Sequence, residues 1–291
     1  MRNSPLEIRN RVGAGDRTPG PDPVLVGVLN VTPDSFSDGG DFLDPAKAAT
    51  RAATMLDEGA QVIDVGGEST RPGSDPVPHE EEARRVVPTI RAILADRPDA
   101  IVSIDTYRAA TAEAALEAGA RIVNDVTALR GDSRMAALAA DAGCPLILMH
   151  MLGEPKTMQR DPRYEDVVRE VRDFLAARAG HAIAAGVEPE NVILDPGLGF
   201  GKTLGHNLML LRRLDSLVEL GFPVLFGASR KRFIGTITGV QDARERVSGT
   251  VAANVLACER GATFFRVHDV RPNREALAVA EAVRRGYSPR R

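Results

Sequence analysis

Asn191-Val-Ile-Leu-Asp-Pro-Gly-Leu-Gly-Phe-Gly-Lys-Thr203 is the stretch from which the fold of this chain can be predicted. Its apolar start, Val192 to Leu194, is typical of a strand buried on both faces. The strand ends in a carboxylate, Asp195, and in a glycine-rich turn. The closing Gly-Lys-Thr suggests a phosphate-binding loop, but that motif needs a glycine where this chain has Pro196, and the third glycine comes one residue early for a dinucleotide loop. We therefore predict a buried strand that presents an acidic group at its C-terminal end.

The same design recurs along the chain. Apolar runs alternate with segments of helical spacing, as in parallel sheets whose strands are joined by helices. Strands are predicted at residues 24–30, 62–66, 100–106, 121–126, 145–150, 191–197, 223–229 and 263–269. Helices are predicted most clearly at residues 45–59, 109–118, 133–142 and 163–186, the first of them capped by Asp44 and opened by Pro45.

Glycines stand where these helices should end, each just before the next strand. Such glycines are expected to adopt the left-handed conformation that closes a helix, and they are Gly59, Gly119, Gly143, Gly186, Gly221 and Gly261. Eight strand–helix units in one chain predict an α/β fold, a single-domain (β/α)8 TIM barrel whose active site lies at the C-terminal ends of the strands. A doubly wound open sheet is the alternative.

Composition limits the possible partners. The chain has 291 residues with 37 Lys and Arg against 40 Asp and Glu, so no global field attracts nucleic acid or an anionic membrane. No apolar run is long enough to span a membrane. Cys144 and Cys258 have no metal-ligand spacing and are predicted to be buried thiols. We interpret residues 1–23 as a disordered leader, 24–286 as the barrel domain and 287–291 as a tail of a cytoplasmic protein.

Polar residues gather at the predicted C-terminal ends of all eight strands. Short side chains on the strands suit the N–H and C=O edges of a heterocycle, with backbone hydrogen bonding as the alternative; they are Asp105, Asn124 and Asp195. Cations indicate an anionic substrate such as a phosphate or pyrophosphate; they are Arg71, Arg230, Lys231, Arg266 and His268. Of these and their neighbours, Arg230 and Arg232 are the residues expected to be surface charges.

Three further features bear on the site. Asn30 and the hydroxyls that follow it can hold Mg²⁺, which prefers few protein ligands and substrate phosphates. The loops after the first two strands are rich in Ser, Thr and Asp, and are either lids over the substrate or ordinary surface loops. Met149, Met151 and Phe200 are either apolar walls of a flat pocket or core residues.

Several motifs resemble those of the dihydropteroate synthase family. The two signature loops are Leu29-Asn-Val-Thr-Pro-Asp-Ser-Phe-Ser-Asp-Gly-Gly40 and Asp64-Val-Gly-Gly-Glu-Ser-Thr-Arg-Pro-Gly73. The remaining motifs follow in order: Ser103-Ile-Asp-Thr106, Ile122-Val-Asn-Asp125, Leu194 to Lys202, Ser229-Arg-Lys231 and Arg266-Val-His-Asp269. The resemblance covers about residues 24–280. It implies a homodimeric transferase of folate biosynthesis, the class of enzyme that sulfonamides target, which joins 7,8-dihydropterin-6-ylmethyl pyrophosphate to 4-aminobenzoate and releases pyrophosphate.

The resemblance also implies roles for individual residues. Pterin binding would fall to Asp105, Asn124, Met149, Asp195 and Lys231. Pyrophosphate would bind to Asn30, Arg71, Arg266 and His268, with Mg²⁺ at Asn30. The 4-aminobenzoate pocket would be formed by Phe36, Thr70, Arg71, Pro72, Phe200 and Lys231. The catalytic set would be Asp105, Asp195, Lys231 and Arg71.

The expected mechanism is an SN1-like loss of pyrophosphate, after which the neutral arylamine adds to a pterin-methyl cation. One departure from the family pattern is Arg232, where related sequences often carry serine. Two alternatives remain open at this point. In the first alternative, the chain is a catalytically silent pterin-binding homologue. In the second, it is a pterin-binding methyltransferase domain, a kind of protein that has no need of the Ser-Thr-Arg-Pro loop or the Arg-x-His site.

Overall fold

A computed structural model describes residues 22–32, 44–69 and 77–286. The structure is an eight-stranded parallel barrel. Its strands are β1 (Val24–Asn30), β2 (Val62–Gly66), β3 (Ile101–Asp105), β4 (Ile122–Asp125), β5 (Leu146–Met149), β6 (Val192–Asp195), β7 (Leu225–Phe226) and β8 (Phe264–Val267). The strands occur where the sequence predicts them and are mostly one or two residues shorter at each end.

Helices connect the strands on the outside of the barrel. They are α1 (Pro45–Glu58), α2 (His79–Asp96), α3 (Ala109–Glu117), α4 (Met135–Ala142), α5 (Val167–Ala184), α6 (Leu204–Arg212), α7 (Asp215–Val218), α8 (Arg232–Thr238), α9 (Val247–Glu259) and α10 (Val270–Arg285). The predicted cap of α1 is present, since the Asp44 carboxylate accepts a hydrogen bond from the Ala46 N–H at 2.9 Å. All the predicted cap glycines have positive φ.

Strand order establishes the barrel and excludes the open sheet. Neighbouring strands pair in the order β6-β5-β4-β3-β2-β1-β8-β7. A parallel bridge between Leu194 and Val224 joins the two ends of this order. The doubly wound alternative is therefore wrong, because an open sheet would leave both of its outer strands unpaired.

Two boundaries differ from the prediction by more than two residues. β7 was expected over residues 223–229 but pairs only through Leu225 and Phe226. The chain leaves the ladder there because it turns, with Lys231 N–H bonded to the carbonyl of Ala228 at 3.1 Å. Helix α5 begins at Val167 rather than near residue 163, since the Asp166 side chain caps its first turn.

The apolar core has two separate parts because side chains alternate across each strand. Outward side chains pack against the helices in one large cluster. Inward side chains form a smaller cluster that fills the barrel interior, which we call the barrel base: Val24, Val26, Val62, Ile101, Ile122, Ile147, Ile193, Leu225 and Phe264. Cys144 and Cys258 are buried free thiols, as predicted. Within the described ranges, no helix is long and apolar enough to cross a membrane.

Candidate active site

The polar groups lie one step above the barrel base on the same inward faces. Inward side chains repeat every second residue along a strand, so the residue two positions after each base residue also faces the interior. These next inward residues include Asp64, Ser103, Asn124, Met149, Asp195, Gly227 and Arg266. We call this group, with Asn30, Asp105, His268 and Lys231, the barrel mouth. Its position matches the C-terminal ends that the sequence predicts.

Strand register aligns three mouth residues and Gly66 in a row. Asn30 pairs with Gly66, Gly66 with Asp105, and Asp105 with Asn124. Gly66 keeps this row open, because a Cβ added to it would lie 3.4 Å from the Asn30 Oδ1 atom and 3.6 Å from the Asp105 Oδ2 atom. The row therefore presents amide and carboxylate oxygens on three of four adjacent strands.

Asp64 holds the centre of a buried polar network. Its Oδ2 atom accepts hydrogen bonds from Arg266 Nε at 2.7 Å and from Asn124 Nδ2 at 3.1 Å. The Arg266 Nη2 atom donates to Asp105 Oδ2 at 2.8 Å. Because the Asn124 nitrogen is directed to Asp64, the Asn124 oxygen is the atom left to accept a bond from a ligand. The network thus fixes which end of the amide the pocket presents.

Burial and charge set the protonation of this network. Burial raises the pKa of Asp105, and the Arg266 guanidinium opposes that rise while Asp64 adds to it. For Arg266, burial lowers the pKa, but Asp64 and Asp105 outweigh it and the net shift is upward. Arg266 therefore stays cationic between its two carboxylates. The raised pKa brings the titration of Asp105 toward neutral pH, where an exposed carboxyl is ionised.

Asp195 and Lys231 form the opposite side of the mouth. Burial raises the pKa of Asp195, while Lys231 is the largest opposing influence. Burial lowers the pKa of Lys231 to about 8, with Asp195 opposing and Arg266 assisting. The Asp195 Oδ1 atom accepts the Gly197 N–H at 2.7 Å, and Lys231 Nζ donates to the Leu198 carbonyl. One carboxylate and one amine thus face the same space.

Two of the predicted anion-binding cations are already paired. Arg230, expected to be a surface charge, is partly exposed and makes a two-point ion pair with Asp269 at 2.9 and 2.5 Å. Arg266 is paired with Asp64 and Asp105, as described above. His268 Nδ1 lies 2.9 Å from Ser229 Oγ. An anion at this side would compete with carboxylates for Arg266, which the sequence does not reveal.

An apolar wall lies beside the polar groups. Met149 packs with Val126, Met151 and Met158 in a small buried cluster, with Tyr107 and Phe200 against it. Lys231 Nζ lies 4.6 Å from the centroid of the Phe200 ring. This arrangement suits a flat ring held between apolar side chains with polar groups at its edge.

One cleft of about 1300 Å³ contains the predicted residues that the structure describes. It is lined by Asn30, Asp105, Asn124, Met149, Asp195, Phe200, Lys231, Arg266 and His268. Phe36, Thr70, Arg71 and Pro72 lie outside the described residues, as do both proposed lid segments between 33–43 and 70–76. Exposed Arg232 lines the outer part of the cleft.

Three residues of the site were not assigned a role from the sequence. Asp64 was noted only as a polar strand end, yet it connects Asn124 to Arg266. Arg51 of α1 lines the cleft and donates to the His268 carbonyl at 3.1 Å. Buried Lys202 also lines the cleft. For Asp64 the signal was available, because an Asp inside an apolar run needs a buried partner.

The donor set near Asn30 fits a particular kind of metal ion. The described residues contain no group of three or more His, Cys, Asp and Glu side chains that could enclose a metal. Asn30 lines the cleft, and its Oδ1 atom lies 3.4 Å from where a Cβ on Gly66 would be. One amide oxygen suits Mg²⁺ that keeps water and binds substrate phosphate oxygens.

Comparisons with known proteins agree on one family. The profile of the family described as Pterin binding enzyme matches residues 26–268. Dihydropteroate synthase of Streptococcus pyogenes is 48% identical over 256 residues, 88% of this chain and 93% of that protein. The Xanthomonas albilineans dihydropteroate synthase solved with 4-aminobenzoic acid is 46% identical with a TM-score of 0.85, over 90% of this chain and 93% of that one. The Thermus thermophilus enzyme in complex with 6HMPPP is 48% identical with a TM-score of 0.78, over 90% and 94%.

Proposed function

This chain belongs to the family of pterin-binding enzymes, and from that premise we propose that it is a dihydropteroate synthase. It joins 7,8-dihydropterin-6-ylmethyl pyrophosphate to 4-aminobenzoate and releases 7,8-dihydropteroate and pyrophosphate. The observation that carries the proposal is the mouth itself. Directed acceptors at Asp105, Asn124 and Asp195 lie beside a methionine wall and an aromatic–lysine pair in one cleft.

Pterin binding uses the inner part of the cleft. The Asn124 oxygen and the carboxylates of Asp105 and Asp195 accept hydrogen bonds from the N–H groups of the pterin ring. Lys231 donates to a ring acceptor, and Met149 contacts the ring face. The 4-aminobenzoate ring lies against Phe200 and Lys231. Phe36, Thr70, Arg71 and Pro72 complete that pocket in this proposal and lie outside the described residues.

Pyrophosphate is placed at the β1 and β8 side of the mouth. Asn30, Arg266 and His268 bind it, with Arg71 from the loop after β2. Arg266 is held by Asp64 and Asp105, so it approaches the phosphates as a pre-oriented cation rather than as a flexible side chain. Asn30 would hold Mg²⁺, which would supply positive charge beside the pyrophosphate oxygens.

The proposed chemistry begins with cleavage of the bond between the pterin methylene carbon and the pyrophosphate oxygen. That oxygen takes the electron pair, and positive charge develops on the methylene carbon and the ring. Asp105 and Asp195 stabilise the cation, while Arg266 and His268 stabilise the departing anion. The arylamine nitrogen then bonds to the methylene carbon, and its extra proton passes to the released pyrophosphate. Exclusion of water protects the cation from hydrolysis.

The remaining expectations are part of the same proposal. The barrel domain extends over residues 24–286, and the protein acts in the cytoplasm. It forms a homodimer through its last two helices, where Leu256 on α9 and Val279 and Val283 on α10 are exposed apolar residues. Analytical ultracentrifugation of wild type and of a Val283→Glu variant tests the dimer.

Pyrophosphate release tests the proposed activity directly. The purified protein is given dihydropterin pyrophosphate and Mg²⁺, with and without 4-aminobenzoate. We expect release that depends on 4-aminobenzoate and equals the dihydropteroate formed. Calorimetric binding of the pterin without any release would instead identify a catalytically silent homologue, and methyl transfer to a carrier would identify the methyltransferase alternative.

A further inference from the structure

The turn between β6 and α6 connects the two substrate ends of the cleft. It covers residues 196–201, starting after Asp195 at the pterin side and carrying Phe200 at the arylamine side. Buried Lys202 follows it directly. Nothing in the proposed chemistry uses Lys202, so a buried amine at this position requires another explanation.

Side chains bind the backbone of this turn at every glycine. The Gly197 N–H donates to Asp195, and the Gly199 N–H donates to Asn207 Oδ1 at 2.7 Å. The Gly201 carbonyl accepts from the Tyr164 hydroxyl at 2.8 Å. The turn also packs tightly on the chain that follows β5, because a Cβ on Gly197 would overlap the carbonyl oxygen of His150. Its conformation therefore depends both on its glycines, which have positive φ, and on contacts with neighbouring segments.

Lys202 is the side chain that bonds this turn to the residue after β5. Its Nζ atom lies 3.0 Å from the Phe200 carbonyl oxygen, 3.3 Å from the His150 carbonyl oxygen and 2.9 Å from His150 Nδ1. Lys202 is only 3% exposed, and its Nζ atom contacts two carbonyl oxygens and an imidazole nitrogen. Its polar contacts are thus internal and serve two neighbouring segments of the mouth.

We call the contacts of Lys202 with Phe200 and His150 the Lys202 bridge. This bridge does not depend on the protonation state of the lysine. Burial lowers the pKa of Lys202 well below its ordinary value, with Lys231 acting in the same direction and Asp195 opposing. Both carbonyl contacts need only N–H donors, which the side chain keeps with or without the extra proton. Burial, with Lys202 and Arg130, also lowers the pKa of His150 to about 3, so this imidazole is neutral near neutral pH.

We propose that Lys202 is a positioning residue that joins the β5 and β6 ends of the mouth and so sets the alignment of Phe200 with Asp195 and Met149. This inference rests on the proposed function, because it concerns how the arylamine meets the pterin. Misplacement of a reacting group by about 1 Å costs on the order of 100-fold in rate. Loss of the Lys202 contacts should therefore slow the reaction between the two substrates and leave the affinity for the pterin by itself unchanged.

The test replaces Lys202 by methionine, which fills a similar volume and has no N–H donor. In Lys202→Met we expect kcat to fall about 10- to 100-fold and the KM for 4-aminobenzoate to rise several-fold. The calorimetric Kd of the dihydropterin alcohol, which lacks pyrophosphate, should stay within about twofold. Tyr164→Phe is the matched control, because it removes one hydrogen bond from the same turn without breaking the link to β5; its kcat should change less than about threefold.

Each other result has a distinct meaning. If wild type releases no pyrophosphate, the proposed function fails, whatever Lys202 does. If wild type is active and folded Lys202→Met keeps both kinetic constants, Lys202 serves stability alone and the inference is overturned. Equal losses of pterin affinity and turnover overturn it too. If the methionine variant does not fold, Lys202→Leu, which also lacks an N–H donor, is measured in its place, and the same kinetic and binding outcomes support or overturn the inference.

Discussion

The barrel base and the barrel mouth are built from the same strands, yet they hold together by different physics. Phe264 of the base and Arg266 of the mouth are two residues apart on β8, and Ile193 and Asp195 have the same relation on β6. The base is stabilised by removal of apolar surface from water. The mouth is held together by hydrogen bonds and ion pairs between polar groups, with Asp64 Oδ2 between Asn124 and Arg266, while Asp64 Oδ1 and Ser103 Oγ are buried without a hydrogen-bond partner among the described residues. Two residues along a strand, about 7 Å, thus separate the layer that favours folding from the layer to which we assign the chemistry.

The largest expected effect separates these layers through stability. Phe264→Ala leaves a cavity in the base and should lower the free energy of unfolding by about 3–5 kcal/mol. Turnover per folded molecule should stay within about twofold of wild type, since Phe264 is not part of the cleft lining. Chemical denaturation and active-site titration measure the two quantities. Ile237→Ala, at an exposed position of α8, is the control and should change stability by less than about 0.5 kcal/mol.

The second prediction concerns the mouth, where we expect a substitution to lower turnover. Asp105→Asn should lower kcat about 100- to 1,000-fold, because the developing cation loses a carboxylate. The affinity for inorganic pyrophosphate should be unchanged or higher, since Arg266 keeps its charge and retains Asp64. Stopped-flow turnover and calorimetry supply the measurements. Asp215→Asn changes an exposed carboxylate outside the cleft and should alter neither value. Unchanged turnover in Asp105→Asn would refute its catalytic role.

The third prediction concerns pH, because the mouth contains ionisable side chains and the base contains only apolar ones. Since burial lowers the pKa of Lys231 to about 8, its ammonium is lost as pH rises through that value. We expect kcat/KM for 4-aminobenzoate to fall about tenfold per pH unit above it. Lys231→Arg should move this limb to higher pH, because arginine stays charged. A wild-type limb near the ordinary lysine pKa would contradict the lowered pKa of Lys231, and a profile without any such limb would show that Lys231 is not essential as a cation.

The smallest effect is expected at the outer edge of the mouth. Arg232 is exposed, and an exposed charge contributes only about 0.2–1 kcal/mol to a partner. Arg232→Ser should therefore raise the KM for 4-aminobenzoate by no more than about fivefold. Neutral 4-aminobenzamide is the matched substrate, and its KM should not change. Arg169→Gln, which removes an exposed charge from α5, should affect neither substrate.

The sequence was most informative where local rules decide the structure. Apolar runs, cap glycines and the pair Asp44 and Pro45 are read within a few residues, and each was found where predicted. β7 is the exception, because its residues leave the ladder for a turn in which Arg230 has a φ of 60°. Turn formation by Ala228 and Lys231 outweighed the apolar pattern of that segment.

The candidate site could be predicted by residue type and position but not by partner. The mouth residues were recognisable because they follow apolar runs, and the cleft brings together those that are described. Their pairing was not recognisable, since Arg266 meets Asp64 across 202 positions of the chain and Asp105 across 161. A free cation and a paired cation look the same in sequence. The role of Lys202 was hidden for the same reason, because its partner His150 lies 52 positions away.

The closure of the barrel has a consequence for its dynamics. Between β6 and β7 the sheet is joined through the bridge of Leu194 and Val224, whereas β1 and β2 share five paired positions. We expect the barrel to open first at this seam between β6 and β7. Among amides inside the strands, that of Leu194 should therefore be the least protected from hydrogen exchange. Asp195 and Lys231 stand on opposite sides of the seam. A pterin bound to Asp195 and Lys231 would link the two sides of the seam. Increased protection of the Leu194 amide would then report that the site is occupied, without any turnover.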